Sequence, residues 1–326
     1  MDLLVIGGAG FIGSVVAGQL LAAGHRVTVY DNLVNGHRAA IPDGADFVHG
    51  DVLDLDTLTR TLSRGFDGVF HFAALSLVGE SVAEPGRCFR TNIGGTVNVV
   101  EAMRATGVNR LVFSSTAAVY GIPDCVPIPE TAPLRPISPY GASKLAVDTF
   151  LGFAAEAYGL GAVSLRYFNV AGAWDRFGED HRPETHLIPL ALQVALGRRP
   201  HLAVFGNDYP TPDGTCIRDY LHVEDLGVAH QLALAAADSG THRIYNLGNG
   251  AGFSVREVIE TARRVTGHPI PTVEAPRRAG DPPVLVASSE RIREELGWQP
   301  RKPDLETIIA DAWAWMQAHP QGYPDE

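Results

Sequence analysis

The sequence predicts a doubly wound α/β fold, a parallel sheet covered by helices on both faces, with a smaller C-terminal α/β lobe. Three observations predict it. Through the first third of the chain, short apolar or β-branched runs alternate with longer helical patterns. A glycine-rich turn, GGAGFIG at Gly7 to Gly13, joins the first run to the first helical pattern. After about Phe168 the regularity falls, and proline and glycine rise. Strands separated by helical segments of about ten or more residues imply right-handed crossovers and parallel pairing, with both faces of the sheet buried.

Taken in order, LLVIG at 3–7 is a continuous apolar run of strand length, and a helical pattern follows from about 11 to 23. RVTVY at 26–30 is the second strand; DFVHG, DGVFHFA and RLVFSS from Arg110 supply the third, fourth and fifth. The spacing of Tyr140 and Lys144 puts both on one face of a helix, because residues four apart project from the same side. The stretches AGAWDRFGEDHRPETHLIP and FGNDYPTPDGTCIRD are loop-rich, and helical patterns return near 254–266 and 304–318. There is no internal repeat.

The composition narrows the function. With 326 residues, 45% hydrophobic and 19% charged, the chain can bury a large core and divide into two lobes. A formal charge of -11 argues against a polyanion, so no nucleic acid partner is expected. No apolar run approaches the roughly 20 residues that span a bilayer, and the chain enters a strand pattern directly after Met1 and Asp2, so no membrane association and a cytoplasmic location are expected. Cys88, Cys125 and Cys216 form neither a pair framework nor a CxxC, which suits a reducing compartment and structural thiols. His181 and His186, with Glu179, Asp180 and Glu184 nearby, match no zinc spacing; they read as solvated loop residues, and no metal is assigned.

The glycine turn has two overlapping spacings. Gly8, Gly10 and Gly13 fit GxGxxG, and Gly7, Gly10 and Gly13 fit GxxGxxG. Either lets backbone amides at a helix N-terminus approach a pyrophosphate. Asp31 stands at the end of the second strand, about 20 residues on, where a carboxylate accepts hydrogen bonds from ribose hydroxyls and repels a 2′-phosphate, so NAD is favoured over NADP. A plain strand-end turn formed with Asn32 is the alternative for Asp31. Phe113, Ser114, Ser115 and Thr116 end the fifth strand, at the sheet edge where ligands of open α/β sheets collect. A hydroxyl there can relay a proton to Tyr140, and a Lys144 ammonium beside the phenol would draw its titration down toward neutrality.

Together, GGAGFIG, VYDNL, HFAALSLVGES, FSSTAAVYG, SPYGASK, VFGNDYPTPDGTCIRDYLHVEDL, PRRAGD and the tail HPQGYPD resemble the extended short-chain dehydrogenase/reductases, and within them the UDP-glucose 4-epimerases. The resemblance runs through nearly the whole chain. It implies a Rossmann domain over 1–168 with parts of about 220–250, and a nucleotide-sugar-binding domain over 169–219 and 251–326. It implies that Gly7, Gly10, Phe11, Ile12 and Gly13 hold the NAD pyrophosphate and Asp31, beside Asn32, the adenosine ribose. Asp51 and Val52 would contact adenine; Phe72, Ala73, Ala74, Ser76 and Asn92 would line the cofactor groove, with Phe168 near the nicotinamide. Thr116, Tyr140 and Lys144 match the catalytic trio. Asn169, Leu187, Phe205, Arg218, Val255, Arg278 and Asp281 match positions that touch the UDP-sugar, with ordinary ion pairing to Asp281 or Asp219 as the alternative for the two arginines.

What the resemblance implies is an NAD-dependent enzyme that interconverts UDP-galactose and UDP-glucose through a 4-keto sugar. It also implies a homodimer, formed through helices around 86–105 and 139–158. Ser76 replaces a lysine found in some relatives, which alters the support of the nicotinamide. Leu285 replaces a tyrosine found in others and leaves more room at the sugar 2-position, so N-acetylated UDP-hexosamines are expected as further substrates. The other readings are a 4,6-dehydratase, a UDP-glucuronate epimerase, or a non-catalytic NAD-sensing protein. Ala117 and Ala118 directly after Thr116 cannot move protons as a dehydratase requires.

Overall fold

The structure, a computed structural model, describes residues 1–278 and 281–324. The chain begins β1 (Asp2–Ile6), α1 (Phe11–Ala22), β2 (Arg26–Asp31), β3 (Asp46–His49), α2 (Leu55–Leu62), β4 (Gly68–His71), α3 (Val78–Ala83) and α4 (Pro85–Phe89). It continues with α5 (Gly95–Thr106), β5 (Arg110–Thr116), α6 (Pro139–Tyr158), β6 (Gly161–Tyr167), β7 (Asn169–Ala171), α7 (Leu187–Ala195), β8 (Leu202–Phe205) and β9 (Ile217–His222). The last elements are α8 (Val223–Ala235), β10 (His242–Leu247), β11 (Gly252–Ser254), α9 (Val255–Thr266), β12 (Thr272–Ala275), β13 (Val284–Leu285), α10 (Glu290–Leu296) and α11 (Leu305–Ala318).

Seven strands form one parallel sheet in the order β10-β6-β5-β4-β1-β2-β3. Side chains of a strand alternate between faces, and here both faces are apolar. Leu3 and Val5 of β1, with Val27, Phe70, Val112 and Leu165, pack against Val16 and Leu20 of α1 and Leu226 and Ala229 of α8. Leu4 and Ile6, with Val69, Leu111 and Phe113, pack on the opposite face against Leu58 of α2, Val99 and Met103 of α5, and Val147 and Leu151 of α6. The order reverses between β1 and β4, so the connections leaving those two strands diverge and open a crevice at their carboxyl ends.

A second core lies outside this sheet. Ile188 and Leu192 of α7, Val258 and Ile259 of α9, and Ile308, Ile309 and Trp313 of α11 meet Leu202 and Val204 of β8. Two small sheets accompany it: β11-β9-β13 with β7 paired to β9, and β12-β8. The division is not simply sequential, since β10 returns to the edge of the large sheet, and Ile292 of α10 and the fully buried Trp298 join its core. Among the described residues no helix is long and apolar enough to cross a membrane.

Helix α6 positions the site. Ser138 caps its start by accepting from the Gly141 amide (3.1 Å), Pro139 takes the first turn, and Gly159 ends it in the left-handed region at φ +70°. Its middle is fixed by a buried ion pair in which Arg166 of β6 donates to Asp148 (2.9 Å), both side chains 2% exposed. Ser115 of β5 donates to the same carboxylate oxygen (3.1 Å), and Arg166 also donates to the Tyr120 hydroxyl (3.1 Å). The network therefore ties α6 to both strands beneath it. Removing one partner of such a pair leaves an unpaired buried charge, so Arg166→Met should destabilise the protein by about 3–5 kcal/mol. Adding Asp148→Leu should recover most of the loss; chemical denaturation of both variants checks this, and equal instability of the two would refute the assignment.

Candidate functional site

The glycine turn lies in the crevice at the strand-order reversal. Gly7 has φ +81°, and a Cβ there would stand 2.5 Å from the amide nitrogen of Ala73, so the turn lies directly against Phe72 and Ala73 at the end of β4. A Cβ on Gly13 would stand 2.2 Å from the Gly7 carbonyl oxygen, so the start of α1 packs tightly on the turn. The first i→i−4 bond of α1 runs from the Ser14 amide to Gly10 (2.9 Å), and no side chain caps the helix. The amides of Phe11, Ile12 and Gly13 precede that bond and remain for a ligand's oxygens. This cradle, which any side chain would fill, fits the pyrophosphate of a dinucleotide.

Asp31, at the end of β2, accepts from the amides of Ala9 (3.0 Å) and Leu33 (2.8 Å), linking the turn to the second strand. Burial pushes its carboxyl upward, against the pull of these amides. Asn32 donates to Asp51 (2.8 Å), while Val52 is buried beneath Gly95. Asn92, on a π-helical turn between α4 and α5, clamps Leu75 by accepting from its amide (2.8 Å) and donating to its carbonyl (3.1 Å), and also donates to Ser143 of α6 (3.0 Å). It thus shapes the groove through the backbone after β4. Ala74 is half-buried on this connection and Ser76 is exposed.

Thr116, Tyr140 and Lys144, the trio expected to be catalytic, converge at the end of β5. Thr116 Oγ1 accepts from the Ala118 amide (3.2 Å), which leaves its proton for Tyr140. Burial pushes the Tyr140 phenol up to about 12, and the hydrogen bond with Thr116 pulls against that rise. The Lys144 ammonium donates to the Ser114 carbonyl (2.7 Å) and stands 4.6 Å from the centre of the Phe113 ring. Burial lowers Lys144 to about 8, with the Asp148 carboxylate one helical turn on acting in the opposite direction. Desolvation thus dominates Tyr140 in the protein alone, and the Lys144 ammonium one helical turn on is bonded to the strand carbonyl. Spacing alone did not single out Ser114, nor Ser81, whose hydroxyl receives the Tyr140 amide (3.2 Å), nor the Arg166–Asp148 pair. Asp148 carried a signal, since it follows Lys144 by four residues on the same helix face.

The substrate candidates fall into two groups. Arg218 of β9 is ion-paired with Asp281, and Cys216 Sγ approaches the same carboxylate at 3.7 Å. Leu285 stands in register with Arg218 across β13 and β9, and the amide of Val255 donates to the Cys216 carbonyl (3.0 Å). In the second group the Arg278 guanidinium lies 4.2 Å from the ring centre of Phe205, at the end of β8. Asn169 begins β7 and Leu187 is the first residue of α7. Phe168 and Leu285 pack against one cluster, Val119, Tyr120, Ile128 and Ala132, so the residue expected near the nicotinamide and the residue expected near the sugar share a wall.

Two expectations are corrected outside the cleft. The loop before α7 is not simply solvated: the side chains of Glu179 and Glu184 are 6% and 4% exposed and meet both His181 and His186. Burial opposes protonation of these imidazoles, but the two carboxylates outweigh it and hold them at about 9 and about 11. Of the three free cysteines, Cys88 and Cys216 are buried, whereas Cys125 is exposed and serves no core.

The model of the NAD dependent epimerase/dehydratase family matches residues 3–248. The UDP-glucose 4-epimerase of Streptomyces lividans is 59% identical over 325 residues, covering 99% of this chain and 98% of the relative. A crystal structure of UDP-glucose 4-epimerase from Brucella ovis in complex with NAD superposes with a TM-score of 0.92 at 46% identity, covering 96% of this chain and 97% of that one. The UDP-Glc/GlcNAc 4-epimerase from Campylobacter jejuni superposes with a TM-score of 0.85 at 41% identity, covering 97% and 99%. The chain belongs to the NAD dependent epimerase/dehydratase family, in its UDP-glucose 4-epimerase branch.

Proposed function

We propose that the protein interconverts UDP-galactose and UDP-glucose, with NAD as a resident cofactor. The observation that carries this reading is the meeting of Thr116, Tyr140 and Lys144 at the carboxyl end of β5, across the crevice from the glycine cradle. In it, Gly7, Gly10, Phe11, Ile12 and Gly13 hold the pyrophosphate, Asp31 and Asn32 the adenosine ribose, and Asp51 and Val52 border the adenine. Phe72, Ala73, Ala74, Ser76, Asn92 and Phe168 line the groove. When bound, NAD supplies a hydride acceptor for the sugar C4 and, in its oxidised form, a positive charge in the cleft.

The protein's own groups manage the proton. Tyr140 as phenolate takes the proton of the C4 hydroxyl, and Thr116 hydrogen-bonds the phenol oxygen as charge develops there. With loss of the C4 hydride to bound NAD this would give a 4-keto sugar that turns over in the site; return of the hydride to the opposite face of C4, with return of the proton from Tyr140 to the oxygen, would complete inversion. Since burial holds the phenol near 12 in the protein alone, ionisation at neutral pH calls for the positive charge brought by the cofactor in addition to the Lys144 ammonium. Arg218 with Asp281, and Arg278 over Phe205, hold the UDP portion, aided by Asn169, Leu187 and Val255; the planar arginine forks suit diphosphate oxygens. Firm binding of UDP leaves the hexose free to rotate.

Division of labour follows the two cores, with residues 1–168 and parts of about 220–250 serving NAD and residues 169–219 and 251–326 serving the sugar nucleotide. The protein acts as a homodimer in the cytoplasm. Phe153 of α6, 68% exposed, and Phe89 at the end of α4, 39% exposed, support association through this helical face, and the unpaired cysteines suit a reducing compartment.

Tyr140→Phe should keep NAD and UDP bound while lowering turnover by a factor on the order of 10² or more. Product analysis with UDP-galactose, together with cofactor content, checks this; near-normal rates would remove Tyr140 as the base. A leucine at 285, smaller than the tyrosine of some relatives, supports turnover of N-acetylated UDP-hexosamines. Wild type should convert UDP-N-acetylglucosamine, and Leu285→Tyr should lose that activity while keeping UDP-galactose conversion. No detectable conversion by the wild type would refute the wider specificity.

A further inference from the structure

On the segment leading into α7, Glu179, His181, Glu184 and His186 converge on one point, and one ligand atom from each lies within 4.8 Å of all the others. His186 Nδ1 stands 2.8 Å from Glu179 Oε1 and 3.0 Å from Glu184 Oε1. His181 Nδ1 stands 3.1 Å from Glu179 Oε1 and 3.7 Å from Glu184 Oε2. Ligand bonds of about 2.0–2.1 Å to a tetrahedral cation set its ligand atoms about 3.3 Å apart, within the range of these histidine–carboxylate separations.

Two features separate this cluster from a chance meeting of charges. The His181 Nδ1 atom is shut off from solvent and makes no hydrogen bond, although Glu179 Oε1 is only 3.1 Å away. It is thus a buried polar atom left unpartnered beside both carboxylates. Glu184 Oε1 is oriented by the amides of Thr185 (2.6 Å) and His186 (2.7 Å), the outer support that fixes a metal-binding carboxylate. The two buried carboxylates also require two positive charges, which a single dication supplies with both imidazoles neutral.

We propose that Glu179, His181, Glu184 and His186 bind one zinc ion in a closed tetrahedral site that pins this segment to the start of α7. Two imidazole nitrogens and two carboxylate oxygens suit zinc among divalent cations. Four protein ligands leave no open position, so the ion is structural. It fixes the residue immediately before Leu187. It also braces the C-terminal tail, because the Tyr323 hydroxyl donates to the Gly178 carbonyl (3.4 Å) and the Tyr323 amide to the Asp180 carboxylate (3.0 Å) on the same segment.

The full-length protein, made without a histidine tag and purified without chelators, should carry about one zinc per chain by elemental mass spectrometry. Stripping it with dipicolinate should lower the thermal midpoint, and added zinc should restore it. Cobalt(II) added to stripped protein should give the visible absorption of a tetrahedral complex, and His181→Ala and Glu184→Gln should each lose that signal. Stripped wild-type protein reports on the site even where a variant fails to fold. Negligible zinc as purified, with no shift in thermal midpoint and no cobalt spectrum on addition, would mean that two imidazolium–glutamate pairs occupy the cluster, and would overturn the proposal.

Discussion

The ion pair between Asp148 and Arg166 governs the geometry of the catalytic face. It is almost inaccessible to solvent, and its attraction is felt in a medium that screens poorly, so α6 has one position on β5 and β6 in which both charges are satisfied. From Asp148, one helical turn back sets Lys144 at the Ser114 carbonyl, and a second sets Tyr140 at Thr116. Ser115, on the same face of β5 as Leu111 and Phe113, donates to the same carboxylate. The groups proposed to be catalytic are thus held by a helix and a central strand, where position is better defined than on a loop.

That arrangement sets the resting chemistry. Burial acts on Tyr140 and Lys144 in opposite directions, raising the phenol to about 12 and lowering the amine to about 8, because each charged form loses its hydration. A neutral phenol beside an ammonium tied to a carbonyl is a weak proton acceptor. In the proposed mechanism the base becomes effective only when further positive charge enters the cleft, which would couple proton removal to the oxidised state of the cofactor. Such coupling would protect the hydroxyl from deprotonation when no hydride acceptor is in place.

Much of this was legible in the sequence, for a physical reason. The glycine turn, Asp31 at a strand end and the Tyr140/Lys144 spacing are local patterns, and local backbone geometry translates them directly into position. The alternating faces of β1, Leu3 and Val5 against Leu4 and Ile6, follow in the same way. Interactions that join distant segments were not legible. Lys144 is held by a backbone carbonyl, which has no residue signature; Arg166 meets Asp148 across two elements; and Asn92 works by gripping the backbone of Leu75. The Glu179–His186 segment was misread because its spacing implies nothing until the loop's conformation brings the four side chains together.

The central claim is that Tyr140 is a buried phenol that desolvation holds neutral until the cofactor's charge enters the cleft. Its titration can be followed as the phenolate absorbance difference between wild type and Tyr140→Phe, in NAD-free protein and in protein saturated with oxidised NAD. The account predicts ionisation near pH 12 without NAD and a shift toward neutrality with it. A phenol that already titrates near neutrality in NAD-free protein, or that titrates at the same pH in both forms, would contradict it.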